Sequence, residues 1–152
     1  MELLICILTD AFFIALLAWC SYTDMRERMV SNLAIILLLC LGIVHAALMT
    51  LAGNTWWTYP AGMAFAVPFF ISWLRGGIGA GDVKLMMVIT LYLGLMNAVI
   101  AFALMVPALA VLMIRSLVKE KTLKCRIPFA PVLSFGASGA ILMGYLYALI
   151  SI

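Results

Sequence analysis

Apolar residues run along this chain in blocks of membrane length, and the polar residues collect in the gaps. A membrane span needs about 20 mostly apolar residues, with a range of about 17–25. Leu3 to Tyr22 is one such block, Val30 to Thr50 a second and Trp56 to Leu74 a third. Val83 to Val118 is apolar almost throughout and too long for one crossing. Gly94-Leu95-Met96-Asn97 is its natural break, which gives a short fourth span and a full fifth. Phe129 to Ile150 is the sixth. Between the third and fourth lies Gly76-Gly77-Ile78-Gly79-Ala80-Gly81-Asp82-Val83-Lys84. The pattern predicts an all-α membrane protein with six transmembrane helices and a glycine-rich loop before the fourth.

Composition agrees with a bilayer as the solvent. Of 152 residues, 68% are hydrophobic and 10% charged; soluble domains run at about 45–50% and 25%. So small a globule could not hide this much apolar surface. The first block opens Met1-Glu2, without a basic region, and no small-x-small site follows it. It reads as a retained helix rather than a cleaved signal. Charge then sets the orientation, because basic residues favour the cytoplasmic side. Arg26 and Arg28 follow the first span, Arg75 and Lys84 flank the glycine loop, and Arg115, Lys119, Lys121, Lys124 and Arg126 surround the connection after the fifth. With six spans all nine fall on one side, both termini lie outside, and the opposite loops carry no charge. One unbroken helix over 83–118 would move the last five basic residues across the membrane. Trp56, Trp57 and Tyr59 suit the outer aromatic belt. Pro68 and Pro107 are expected to kink their helices. No repeat or linker interrupts the chain, so 1–152 reads as a single integral-membrane domain.

The acidic residues are Glu2, Asp10, Asp24, Glu27, Asp82 and Glu120. Asp24 ends the first span and Asp82 begins the fourth, on the same side. Two carboxylates sharing a site cannot both ionise and share one proton. The ionised member takes a proton from water and the protonated one donates to an amide carbonyl. That is aspartic-protease chemistry, with no metal and no nucleophilic side chain. From Val83 to Leu93 the fourth span extends only about 16 Å against a hydrocarbon core of about 30 Å. Its start is expected below the membrane surface, with the glycine loop dipping in where it lines protein or a wet cavity. Glycine there permits φ > 0 and close approach of another chain. The helix dipole favours a charged Asp82 and biases it toward the base role, though such a pair titrates as a unit.

Each of these residues has a plainer use. Asp82 is also a favoured helix N-cap. Ser31 or Asn32 can cap the second span. Lys84 either steers substrate or lipid, or snorkels as an anchor. Asp10 reads as a proton relay, as a buried hydrogen-bonding residue, or as a side chain reaching the outer interface. The loop lacks a G-K-[ST] ending and a G-x-G-x-x-G, which argues against a nucleotide site. Cys6, Cys20, Cys40 and Cys125 form no C-x-x-C pair and read mainly as small hydrophobes. His45 has no neighbouring ligand in the sequence, so no metal site is expected.

Gly79-Ala80-Gly81-Asp82-Val83-Lys84-Leu85 resembles the G-x-G-D-x-K-L signature of type IV prepilin peptidases; presenilin-like proteases share the G-x-G-D part. Asp24 to Asn32 resembles that family's first motif, with Ser31 where Pro is usual. Ile127-Pro128-Phe129-Ala130-Pro131 resembles the Pro-rich lead-in to its last helix. The resemblance covers nearly the whole chain. It implies Asp24 and Asp82 as the catalytic pair, with Gly79, Gly81, Lys84 and Asn32 supporting the loop and the approach of substrate. It implies prepilin or pseudopilin substrates, cut at the cytoplasmic face of the bacterial inner membrane between a short basic leader and a hydrophobic helix. Larger members also N-methylate the product and carry a tetracysteine zinc domain between the first helices. Met25 to Met29 leaves no room for one, so the chain resembles short, peptidase-only forms serving Flp-type (tight adherence) pili. No cofactor, metal or nucleic acid is implied. Two other classes stay open. An ion-coupled carrier would use Asp10, Asp24 and Asp82 as a proton path, and a non-enzymatic scaffold of a secretion or pilus machine would tolerate loss of both aspartates.

Overall fold

The computed structural model describes residues 2–27, 29–76, 78–120 and 129–150, and every element among them is helical. Helix α1 spans Glu2–Glu27. It runs past the apolar block because Thr23 to Glu27 contains no glycine or proline, and Met, Arg and Glu are good helix formers. Asp24 therefore sits in the last turn of a helix rather than beyond its end. Helix α2 spans Asn32–Leu51. Ser31 occupies its N-cap position in extended backbone but makes no side-chain cap bond, so the expected capping by this side chain is absent. The C-terminus closes in a Schellman motif: Gly53 N–H donates to Thr50 O at 3.1 Å and Asn54 N–H to Met49 O at 3.0 Å. Gly53 supplies the left-handed residue this needs, at φ 100°.

The third apolar block is a stack of three short pieces: α3 (Thr58–Gly62), a 3₁₀ turn (Met63–Ala66) and α4 (Val67–Leu74). Pro68 lies in the first turn of α4. Its missing N–H is harmless there, and the irregularity expected at the proline appears one turn earlier as 3₁₀ backbone. Helix α5 spans Ala80–Glu120 and α6 Ala130–Ile150. Within α5 only Gly94 leaves helical dihedrals, at φ 70° and ψ 178°. That region is open essentially to glycine alone. Leu95 to Asn97 are already helical, so the break is one residue, and Pro107 is accommodated without non-helical dihedrals.

The chain turns back at Gly94. Gly81 lies against Val30, near the start of α2, while Gly94 lies against Tyr59 and the Thr58 carbonyl. Eight residues later Phe102 packs on Phe65 and Phe69, and Phe69 packs on Phe129 at the foot of α6. The second half of α5 thus runs alongside α3 and α4, in their direction. Backbones touch at two glycines. A Cβ on Gly62 would come 2.5 Å from Thr90 O, and one on Gly136 would come 2.7 Å from Ala101 O. Such small residues let helices pack where lipid offers no hydrophobic drive between them.

The core forms where α5 meets α6, α3 and α2, around Tyr92, Leu85, Ile89, Leu38 and Leu133, with Phe13 and Leu17 of α1. Leucines, isoleucines and tryptophans cover the outer surface. Four helical stretches are long and apolar enough to cross a membrane: Leu4–Glu27, Asn32–Leu51, Ala80–Val111 and Ala130–Ile150. Thr58–Leu74 is a shorter apolar stretch. Arg28, Gly77, Lys121, Lys124, Cys125, Arg126 and the Ile127-Pro128 lead-in lie outside the described residues.

Candidate active site

Asp82 is placed by the first turn of α5. The Val83 N–H donates to Gly79 O at 3.4 Å, which makes Gly79 the N-cap and Asp82 the third helical residue. The Asp82 carboxylate accepts a hydrogen bond from the Gly79 backbone N–H. This is the backward-reaching half of a capping box. Asp82 does support the helix start, as the plainer reading expects, but from inside the first turn rather than from the N-cap.

The glycines act here by closeness. Among Gly76, Gly79 and Gly81, only Gly76 has positive φ, at 75°; the positive φ considered for Gly81 is not found. A Cβ on Gly79 would stand 3.3 Å from Asp82 Oδ2, and one on Gly81 3.4 Å from Val30 Cβ. Val30, between α1 and α2, lies directly against Gly81. The sequence gives no sign of that contact, since Val30 reads only as the first residue of an apolar block.

Asp24 is placed by the last turn of α1 and is buried, 7% exposed. Its Oδ2 accepts a hydrogen bond at 3.0 Å from the N–H of Ala130, the first residue of α6. A helix start leaves its first N–H groups without internal partners. Here Pro131 has none to offer, and the Val132 and Leu133 N–H groups turn to Phe129 O. Ala130, 0% exposed, is left to Asp24. Phe129 and Ala130, present in the sequence only as part of the Pro-rich lead-in to the last helix, are residues of this site. The Pro131 that marks a helix start was the available signal.

The two carboxylates lie within electrostatic reach of one another. They come from residues 58 positions apart in sequence. Each is held by a backbone N–H at the N-terminus of a helix, Asp82 by α5 and Asp24 by α6. Both helix ends bring positive dipole charge to the pair. Cys20, one turn before Asp24 and fully buried, is close enough to feel its charge. Asp82 is only half-buried, so the pair has one enclosed member and one that opens outward. Lys84 is exposed, and two residues on from Asp82 it points to another side of the helix. Asn32 is exposed at the start of α2. Neither is drawn into the pair. Among the described residues, no three His, Cys, Asp or Glu side chains gather in a way that could hold an ion.

A second polar cluster lies toward the other end of the bundle. Asp10 accepts hydrogen bonds from the Tyr92 and Tyr145 hydroxyls, each at 2.5 Å. Tyr92 is itself sandwiched, with Phe13 at 3.7 Å and His45 at 4.1 Å between ring centroids. Of the uses open to Asp10 in the sequence, this geometry is that of an internal hydrogen-bonding residue. His45 is a buried packing partner.

A model of the type IV leader peptidase family matches residues 11–149, which include Asp24, Gly79, Gly81, Asp82 and Ala130. No curated protein and no solved structure matches the chain.

Proposed function

The chain belongs to the type IV leader peptidase family, and on that premise we propose that Asp24 and Asp82 are the catalytic pair of an aspartic endopeptidase. The observation that carries this reading is the convergence of two distant carboxylates, each fixed by a helix-start N–H, at one end of the bundle. With one proton between them, the ionised carboxyl removes a proton from water as the water attacks the scissile carbonyl carbon. The protonated carboxyl donates to the carbonyl oxygen, and the amine leaves with a proton returned by the pair. Asp82, the more open member, stands nearer the approach of water and substrate. The two helix termini favour the negative charge that remains on the pair through the reaction. Gly79 and Gly81 put no side chains of their own beside Asp82, so that an extended peptide can lie there.

The substrates are prepilins or pseudopilins, cut between a short basic leader and the apolar helix that follows. The helices cross the bacterial inner membrane six times with both termini outside. The one-sided basic residues and the reversal at Gly94 support that arrangement. Exposed Lys84 and Asn32 flank the route by which substrate arrives. The short connection between α1 and α2 supports a peptidase-only form of the Flp kind, built as one membrane domain without a zinc-bearing insert. The test is co-expression with candidate Flp-type prepilins, with leader removal read by mass. Cleavage by the native chain and none by Asp24→Asn or Asp82→Asn is expected. Cleavage by both variants would refute the assignment.

A further inference from the structure

We infer that Asp10 is a positioning residue: clamped by Tyr92 and Tyr145, it fixes the axial register of α1 against α5 and α6 and so sets where Asp24 stands relative to Asp82. The inference rests on the reading of Asp24 and Asp82 as the catalytic pair.

The two carboxylates of that pair ride on helices that are joined mostly through others. α1 packs closely on α6 and α2, while α5 packs on α6, α3 and α2. Between α1 and α5 the bridge is made by long side chains: Tyr92 stacks on Phe13 and bonds Asp10. Along the seam of α1 and α6 the polar contacts step in pairs. Asp24 meets Ala130 N–H, Ser21 Oγ donates to Ser134 Oγ at 2.7 Å, Ser134 Oγ donates to Leu17 O at 3.1 Å, and Asp10 meets Tyr145. Asp10 and Asp24 are 14 residues apart on α1, and Ala130 and Tyr145 are 15 apart on α6. The two antiparallel helices advance in step, and the clamp and the catalytic pair are the two ends of one ladder.

α1 can transmit an axial displacement along that ladder. From Glu2 to Glu27 it contains neither glycine nor proline, the usual sources of a kink. A slip of one residue moves every group on it by about 1.5 Å. Such a slip breaks both tyrosine bonds at one end and shifts Asp24 by the same amount at the other. A misplacement of about 1 Å in a catalytic site can cost about 10²-fold in rate. Asp10 itself stands about 21 Å along the axis from Asp24, beyond any direct part in the chemistry.

Asparagine and leucine separate this role from proton carriage. In Asp10→Asn the side-chain oxygen can still accept from one tyrosine while the amide nitrogen donates to the other, so a clamp survives but a titrating relay does not. Leucine keeps the bulk and loses both bonds. The full-length chain is purified, its monodisperse fraction quantified, and kcat and KM measured on a Flp-type prepilin for Asp10→Leu, Asp10→Asn and Tyr145→Phe. For Asp10→Leu, kcat per folded enzyme should fall about tenfold or more with KM within about twofold, as expected for a displaced catalytic group. Tyr145→Phe should fall in between, and Asp10→Asn should keep most of the rate. Unchanged kcat in Asp10→Leu overturns the inference, even where the yield of folded protein drops. So does an Asp10→Asn as inactive as the leucine variant. Should Asp10→Leu not fold, the two tyrosine-to-phenylalanine variants at 92 and 145 carry the same test. Asp24→Asn runs alongside: if it cleaves, the catalytic pair itself is misassigned, and if it is inactive while Asp10→Leu is fully active, only the register role fails.

Discussion

Replacing Asp24 by alanine and by asparagine should separate its chemistry from its hold on α6. Alanine removes the acceptor of the Ala130 N–H, in a position 0% exposed where no bulk water can take its place. An unpaired buried donor costs about 1–3 kcal/mol, a range that overlaps the loss of a helix cap at about 0.5–2 kcal/mol. At about 2–4 °C per kcal/mol for a chain of this size, the melting temperature should fall by about 2–12 °C. Asparagine keeps an oxygen for the same N–H and removes one of two mutually repelling carboxylates, so its melting temperature should stay within about 2 °C of the native chain. Neither variant can share the proton, so neither should cleave. Thermal unfolding in detergent and single-turnover cleavage of a prepilin, read by mass, supply the two measurements. An alanine variant as stable as the asparagine one would show that Ala130 does not depend on Asp24. A cleaving asparagine variant would refute the catalytic role. Because the pair acts as a unit, the Asp24→Asn/Asp82→Asn double variant should be no slower than either single one.

Three further outcomes follow from other parts of the molecule. Reporter fusions near Asn54 should read as outside and fusions near Lys121 as cytoplasmic, and a cytoplasmic Asn54 would contradict the six-crossing arrangement. Gly81→Val should abolish cleavage with little effect on insertion, because even its Cβ would meet Val30 at 3.4 Å; near-native activity would show that the approach of Val30 is not needed. Cleavage should persist in the presence of chelators and leave the new N-terminus unmethylated; a chelator-sensitive rate, or a methylated product from this chain alone, would count against a metal-free peptidase.

Much of this arrangement is legible in the residues because membranes impose simple rules. Block length locates α1, α2 and α6 to within a few residues at most ends, and the four residues beginning at Gly94 contain the break in α5. The G-x-G-D stretch and the Asp24 segment point to the two carboxylates that the fold brings together. What the residues do not display is how those carboxylates are held. The bond from Ala130 N–H depends on the placement of α6 beside α1, more than a hundred residues apart in sequence. The role of Gly81 depends on Val30 lying against it, and a contact between a short connection and a helix start leaves no periodic trace. Asp10 is the same case: on one helix it is a solitary acid in an apolar block, and its two tyrosines sit on two others. Pro68 marks a real irregularity but not its place, since the preceding turn tightens to spare the proline its clash.

The one-residue reversal at Gly94 also governs how the chain can be laid into a bilayer. The rising half of α5, Ala80 to Leu93, reaches only about 21 Å, about two thirds of a hydrocarbon core. Delivered alone it would leave unpaired backbone at its ends in hydrocarbon, at several kcal/mol for each such group. The half that follows is long and apolar, and the turn between them is too tight to let one arrive without the other. In the proposed six-crossing arrangement the two halves form a hairpin whose turn, Gly94, rests against Tyr59 of α3. In that arrangement α6 closes against α1, where its first N–H, from Ala130, meets Asp24.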